Sequence, residues 1–114
     1  MNEFLTYLDQ LKKQFEEEEQ SLICAQRKDE ANFAKIKVNI CDICKTLYQV
    51  SLKKAENREA FIEEYLRQLT RLPENWKISY EKAKEHGDAT KIVIEEIKLE
   101  VLETIRNSFE ERII

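Results

Sequence analysis

Three cysteines and one histidine are the residues of this chain whose types and spacing could hold a metal ion. Cys41 and Cys44 form a C-x2-C pair, and Cys24 precedes them. Residues three apart lie on the same side of a helix, so the two thiols of the pair could contact one ion. Together with Cys24 and His86 they would make a Cys3His set, which zinc accepts.

The surroundings of the C-x2-C pair favour packing over metal or redox chemistry. The pair lies deep in the most regular helical pattern of the sequence, with neither a second C-x2-C nor a glycine nearby. A thioredoxin-like pair needs a βαβ context and a helix N-terminus that lowers a thiol pKa. Cys44 flanks an apolar stripe, where a thiol behaves as a small hydrophobic side chain. The sequence predicts packing, and a metal- or thiol-dependent sensor that uses Cys41 and Cys44 is the alternative.

Acidic residues are abundant, but their spacing does not match a carboxylate metal centre. Di-iron bundles need two Glu-x-x-His motifs, and the residue three before His86 is Ala83. Adjacent glutamates such as Glu95 and Glu96 point about 100° apart on a helix and chelate poorly. Gly87 is the single glycine of the chain, which excludes a Gly-rich phosphate loop. We therefore expect no catalytic residues, no cofactor and no enzymatic activity.

Trp76 and Tyr80 are the residues that could line a small-molecule groove. They lie four apart, and therefore on one face of a helix, just after Pro73. Ligand sites in bundles lie between helices, so a break at Pro73 walled by Trp76 is the expected place for a pocket. Aromatic residues at this spacing are more often part of the core or rim of a bundle, which is the alternative interpretation.

Apolar stripes at helical spacing predict four long helices that position these residues, at about 3–26, 29–54, 58–86 and 89–112. Glu18 interrupts the first stripe, so that either the helix rolls away from the core there or the carboxylate points into the bundle. The second stripe is unbroken, with 3,4,3,4,3 spacing, and we expect it to face the core. It consists of Phe33, Ile36, Ile40, Ile43, Leu47 and Val50.

Local signals mark the ends of these helices. Asp29, Asn57 and Asp88 are plausible N-caps, and Gly87 suits a left-handed C-terminal position. Pro73 must end or kink the third helix, because proline lacks an amide proton and clashes with the preceding turn. Short connections make neighbouring helices antiparallel. Residues 1–114 are thus predicted to form one all-α domain, an up-down-up-down four-helix bundle with the third helix broken at Pro73.

Composition and charge limit the function classes of these 114 residues. A β-sandwich or barrel would need frequent turn residues, and the chain has one Gly and one Pro. A net charge of −4 argues against nucleic-acid binding. The sequence contains no apolar run of the length that a membrane span needs. It also lacks a recognisable signal peptide and has an odd number of cysteines, so we expect a cytoplasmic location.

The apolar faces of the predicted helices favour an interaction function. A face wider than an intramolecular partner can cover would be buried in a dimer or against another protein. The C-terminal Ile113 and Ile114 either cover the end of the bundle or dock into a partner. We therefore expect a non-catalytic protein-interaction or scaffold module that binds a protein partner or forms a homo-oligomer.

Overall fold

Four α-helices make up the structure, a computed structural model that describes residues 2–113 and the side chains of 3–113. They are α1 (Asn2–Cys24), α2 (Lys28–Lys54), α3 (Arg58–His86) and α4 (Ala89–Ile113). Loops of two or three residues join them, and the described residues contain no strand. The predicted all-α, four-helix fold is confirmed. In residues 2–113, no helix has the length and apolar character needed to cross a membrane.

Three of the four predicted helix-end residues act as the sequence predicts, namely Asn57, Gly87 and Asp88. The side chain of Asn57 accepts a hydrogen bond from the backbone N–H of Ala60 at 2.8 Å. Asp88 accepts one from the N–H of Lys91 at 3.1 Å. The prediction for Asp29 is wrong, because α2 begins one residue earlier, at Lys28. Asp29 therefore lies in the first turn, where its charge still complements the helix dipole.

Two helices end in the same left-handed backbone turn, one with glycine and one without. Gly87 has φ 65°, and the N–H after it bonds to the carbonyl of Ala83 at 3.0 Å. Gln26 has φ 61°, and the following N–H bonds to the carbonyl of Leu22 at 2.9 Å. This conformation is free for glycine but costs other L-residues roughly 1–2 kcal/mol. The turn after α1 is therefore strained at Gln26.

The third helix passes through Pro73 without interruption, so the break predicted there does not divide it. An interior proline removes one backbone hydrogen bond and clashes with the preceding turn, at a cost of about 3 kcal/mol, so other contacts must keep the helix continuous. Contacts with α4 hold both sides of the proline. Before it, Arg106 donates to the Thr70 hydroxyl at 2.9 Å, and after it, Tyr80 donates to Glu96 at 3.2 Å.

The core lies where α1 begins, α2 ends, α3 begins and α4 ends. Five aromatic side chains from the four helices meet there, with neighbouring ring centroids 4.8–6.2 Å apart. These are Phe4, Tyr48, Phe61, Tyr65 and Phe109. The hydroxyl of Tyr65 donates to the carbonyl of Cys44 at 2.9 Å, which satisfies the polar atom of a fully buried ring. Ile113 packs partly buried against this core, and Ile114 lies outside the described residues.

The buried face of α2 differs from the predicted stripe. Of the six stripe residues only Ile40 is buried, whereas Ile43 and Val50 are exposed. The face that packs inside consists mainly of small residues and one aromatic: Ala31, Ala34, Val38, Cys41, Cys44 and Tyr48. Small side chains let neighbouring backbones approach closely, and α2 contacts all three other helices. Tertiary packing therefore selects a face that contains fewer large aliphatic side chains than the predicted stripe.

Candidate interaction surface

Three ion pairs define how α1 lies against α2. Asp9 binds Lys45 at 2.9 Å, Lys12 binds Asp42 at 2.8 Å, and Glu18 binds Lys37 at 3.3 Å. The pairing runs antiparallel, because residue numbers rise along α1 as they fall along α2. Glu18 is exposed and serves as this surface partner, so its carboxylate does not point into the bundle.

This antiparallel register separates the cysteines that the sequence suggested as metal ligands. It places the exposed Cys24 opposite residues near position 31 of α2. That position precedes Cys41 by about ten residues, which is about 15 Å along the helix axis. His86 lies exposed at the end of α3. In residues 2–113, no group of three or more His, Cys, Asp or Glu residues could hold a metal ion. The set of Cys24, Cys41, Cys44 and His86 is therefore not assembled.

Burial also changes the chemistry of the C-x2-C pair. Desolvation raises the pKa of Cys41 from 9.0 to about 12, and the charge of Asp42 adds to the shift. Desolvation raises the pKa of Cys44 to about 12 as well, with a contribution from Cys41. The thiolate is the form that attacks electrophiles and binds metals. Both side chains are consequently protonated at neutral pH and pack as small hydrophobic groups.

Trp76 and Tyr80 are engaged with charged side chains of the same chain. The ammonium of Lys98 lies 5.5 Å from the Trp76 ring centroid, and that of Lys84 lies 4.4 Å from the Tyr80 centroid. The Tyr80 hydroxyl donates to Glu96. Both rings are partly buried. These contacts correspond to the rim interpretation of the two aromatic residues.

An open groove lies beside Pro73, between α3 and α4, and its lining differs from the one that the sequence suggested. Its apolar lining includes Leu69, Leu99 and Leu102, and its polar lining includes Arg106. Trp76 and Tyr80 do not line it. This groove therefore lies near the proline but is lined by residues other than the two aromatic ones that the sequence suggested.

Glu95, one of the two adjacent glutamates considered in the sequence, is a buried acid. Its exposed fraction is 4%, and its carboxylate binds the Lys98 ammonium at 3.1 Å through one oxygen. The other oxygen has no hydrogen-bond partner within residues 2–113. Heptad spacing could have indicated its burial, because Glu95 lies seven residues before Leu102 and fourteen before Phe109, which are both buried.

A line of uncharged side chains runs along the outer side of α2, and we call it the α2 seam. Its residues are spaced 4,3,4,3,4 and comprise Asn32, Ile36, Asn39, Ile43, Thr46 and Val50. Ile43 is 37% and Val50 is 41% exposed, Ile36 is partly buried, and the three polar residues are exposed. The seam extends over about 27 Å, given a rise of 1.5 Å per residue. Alternating steps of three and four residues are the spacing at which two helices pack side by side.

The fold and this surface define the chain as a small all-α protein of four helices with an uncharged line on its second helix. Comparisons with protein-family models, curated proteins and solved structures give no match.

Proposed function

We propose that this chain is a non-catalytic protein-interaction module and that the α2 seam is its binding surface. The observation that carries the proposal is the composition of the seam. In a chain with 37% charged residues, six successive positions on the outer side of one helix carry no charge. Single exposed apolar residues are ordinary, but Ile36, Ile43 and Val50 are aligned at heptad spacing, which favours packing against another helix.

The inner side of α2 supports this role, because it makes the helix rigid. Cys41, Cys44 and Tyr48 are each at most 1% exposed, and they fix α2 against the aromatic core. The Tyr65 hydroxyl bonds to the backbone of α2 itself, at Cys44. A surface held in one conformation loses little entropy on binding, which favours affinity. The seam is thus displayed on a helix that contacts all three other helices.

A reducing, cytoplasmic setting is part of the proposal. The three cysteines are free, and two of them are buried side by side on α2. Free buried thiols are typical of proteins that fold in a reducing compartment. The alternative sensor function has no observation in its favour, since burial keeps both thiols protonated.

The experiment that tests the proposal compares Ile43→Lys with Ile78→Lys in the full chain. Both substitutions place a lysine at an exposed isoleucine, but Ile78 lies on α3 and is 55% exposed. Each variant and the wild type is fixed with a short cross-linker in lysate of the source cells, and cross-linked species are identified by mass spectrometry. Cross-linked species that contain only copies of this chain are counted together with those that contain another protein.

We expect Ile43→Lys to lose the specific cross-linked species while Ile78→Lys retains them. Charge at the centre of an apolar contact typically weakens binding about tenfold or more. Thermal unfolding of each variant ensures that only folded proteins are compared. If both variants yield the same cross-linked species as the wild type, the α2 seam is not the binding surface and the proposal fails.

A further inference from the structure

We propose that the α2 seam binds the α2 seam of a second copy of this chain, with the two helices parallel and related by a two-fold axis. This inference rests on the interaction function proposed above and specifies its partner. Each residue of the seam and the residue that faces it on the second copy form one layer of side chains, and the chemistry of these layers favours a parallel pair.

The seam alternates between two kinds of side chain. Ile36, Ile43 and Val50 repeat every seven residues and are β-branched. The polar residues Asn32, Asn39 and Thr46 repeat with the same period, four residues earlier in each case. A helix that packs on the seam therefore meets apolar and polar layers in strict alternation, and its own side chains must alternate in the same way.

A parallel second copy meets this requirement at every layer. In register, isoleucine faces isoleucine, and each asparagine faces its own equivalent, where the two amides can exchange hydrogen bonds. An antiparallel copy centred on the seam places Ile43 against Asn39 and Ile36 against Thr46. Each polar group would then be covered by an apolar side chain and left without a partner, which costs free energy.

The types of residue in the seam also favour a parallel pair of helices. β-Branched residues at one heptad position are typical of two-stranded parallel packing, most strongly when leucine holds the other position, and a polar residue in the seam fixes register at a cost in stability. In the α2 seam polar residues hold all of those other positions, so register is specified at a larger cost in affinity. The chain has two asparagines in the seam, so a slip by one heptad loses one of the two amide layers. Register and orientation are thus specified by Asn32 and Asn39.

The size of the seam sets the strength of the dimer. A strip about 27 Å long and about 10 Å wide covers roughly 270 Å² on each copy. The partly buried Phe33 and Leu47 lie beside the strip and extend the apolar contact. Standard interfaces cover about 800 Å² per partner, and smaller ones are weak or transient. The dimer is therefore concentration-dependent.

Sedimentation velocity of the purified full chain tests this directly, from about 5 µM to about 500 µM under reducing conditions. We expect a shift from monomer to dimer over this range. Ile43→Lys should weaken the association at least about tenfold, and Ile78→Lys should leave it unchanged. Asn39→Leu should tighten it, because an apolar layer replaces an amide layer.

Cysteine cross-linking distinguishes the two orientations. Cys24 is exposed and is first replaced by serine, while Cys41 and Cys44 are buried and remain. In this background, Asn39→Cys should form a disulfide-linked dimer on mild oxidation, since a parallel pair places position 39 against itself. An antiparallel pair would instead link a mixture of the Asn39→Cys and Ile43→Cys proteins, with neither linking alone, and that outcome overturns the inference.

Failure of this inference is distinguishable from failure of the interaction function. A wild-type chain that stays monomeric up to about 500 µM, while Ile43→Lys still abolishes cross-linked species in lysate, refutes self-association and identifies a different protein as the partner. A monomeric chain whose cross-linked species are insensitive to Ile43→Lys refutes both proposals. An oligomer that survives Ile43→Lys refutes the use of the α2 seam.

Discussion

The two buried thiols of α2 are expected to resist thiol reagents for as long as the chain is folded. Aromatic disulfide reagents react with thiolates, so the ionised fraction controls the rate. At pH 8, a thiol with a pKa of 9.0 is ionised to about one part in ten. With the pKa raised to about 12, Cys41 and Cys44 are ionised to about one part in ten thousand. Ionisation alone therefore slows their reaction about 1000-fold.

Removal of the exposed thiol makes this difference measurable. The absorbance released by 5,5′-dithiobis-(2-nitrobenzoate) is followed for the wild type and for Cys24→Ser, with and without denaturant. We expect one rapid equivalent from the folded wild type and none from folded Cys24→Ser. After unfolding, three and two equivalents should be released, in line with the three free cysteines. Steric protection in the core adds to the effect of ionisation, so the native rates report on opening of the fold.

The reasoning is refuted if folded Cys24→Ser releases two equivalents at a rate within about tenfold of the unfolded protein. Such a rate would mean that α2 opens easily or that its thiols are ionised in the folded state. Either result would also revive the thiol-sensor alternative for Cys41 and Cys44. The urea dependence of the reaction rate separates the two causes, because low urea concentrations accelerate reaction through opening of the fold but not reaction of an ionised thiol in the folded state.

Three further changes should alter the free energy of unfolding, each measured by urea denaturation. Burial raises the thiol pKa values of Cys41 and Cys44 to about 12, so their contribution to stability should be constant below about pH 9 and be lost as the pH rises toward 12; a rise in stability between these two pH values would contradict this. Gln26→Gly relieves the left-handed strain and should stabilise the chain by about 1 kcal/mol, whereas no gain would mean that the turn is unstrained. Lys98→Met leaves the Glu95 carboxylate buried and unpaired and should cost about 1–3 kcal/mol, while Glu95→Leu should be neutral or stabilising; equal losses from both would refute the argument.

Local signals in the sequence suffice to predict the helices. The periodicity of apolar residues identifies four segments. Asn57, Asp88 and Gly87 cap helix ends through hydrogen bonds to atoms only a few residues away. The prediction for Asp29 is wrong because its residue type favours the N-cap, whereas the turn after α1 places Arg27 at that position without a side-chain cap hydrogen bond. The left-handed residue Gln26 gives no signal, since its type does not reveal a positive φ.

Tertiary partners determine what the sequence could not predict. Cys24 and Cys41 belong to adjacent helices, yet only the ion pairs between α1 and α2 reveal how far apart they lie. The inner face of α2 was misassigned because periodicity selects the largest aliphatic residues, whereas close approach of three neighbouring helices requires alanine and cysteine. The local cost of Pro73 predicts an end or a kink in α3, but contacts with α4 on both sides of the proline hold α3 as one helix.

Helix propensity does not explain the residues of the α2 seam. β-Branched residues are slightly poorer helix formers than lysine or glutamate, by a few tenths of a kcal/mol each, and Ile43 and Val50 keep 37% and 41% of their surface exposed in the single chain. Ile43→Lys should accordingly change the free energy of unfolding by less than about 1 kcal/mol at concentrations below self-association. Tyr48→Ala, on the opposite side of the same helix, should cost about 3–5 kcal/mol. A loss of more than about 2 kcal/mol from Ile43→Lys would assign Ile43 to the core, and the α2 seam would then have no apolar centre to offer a partner.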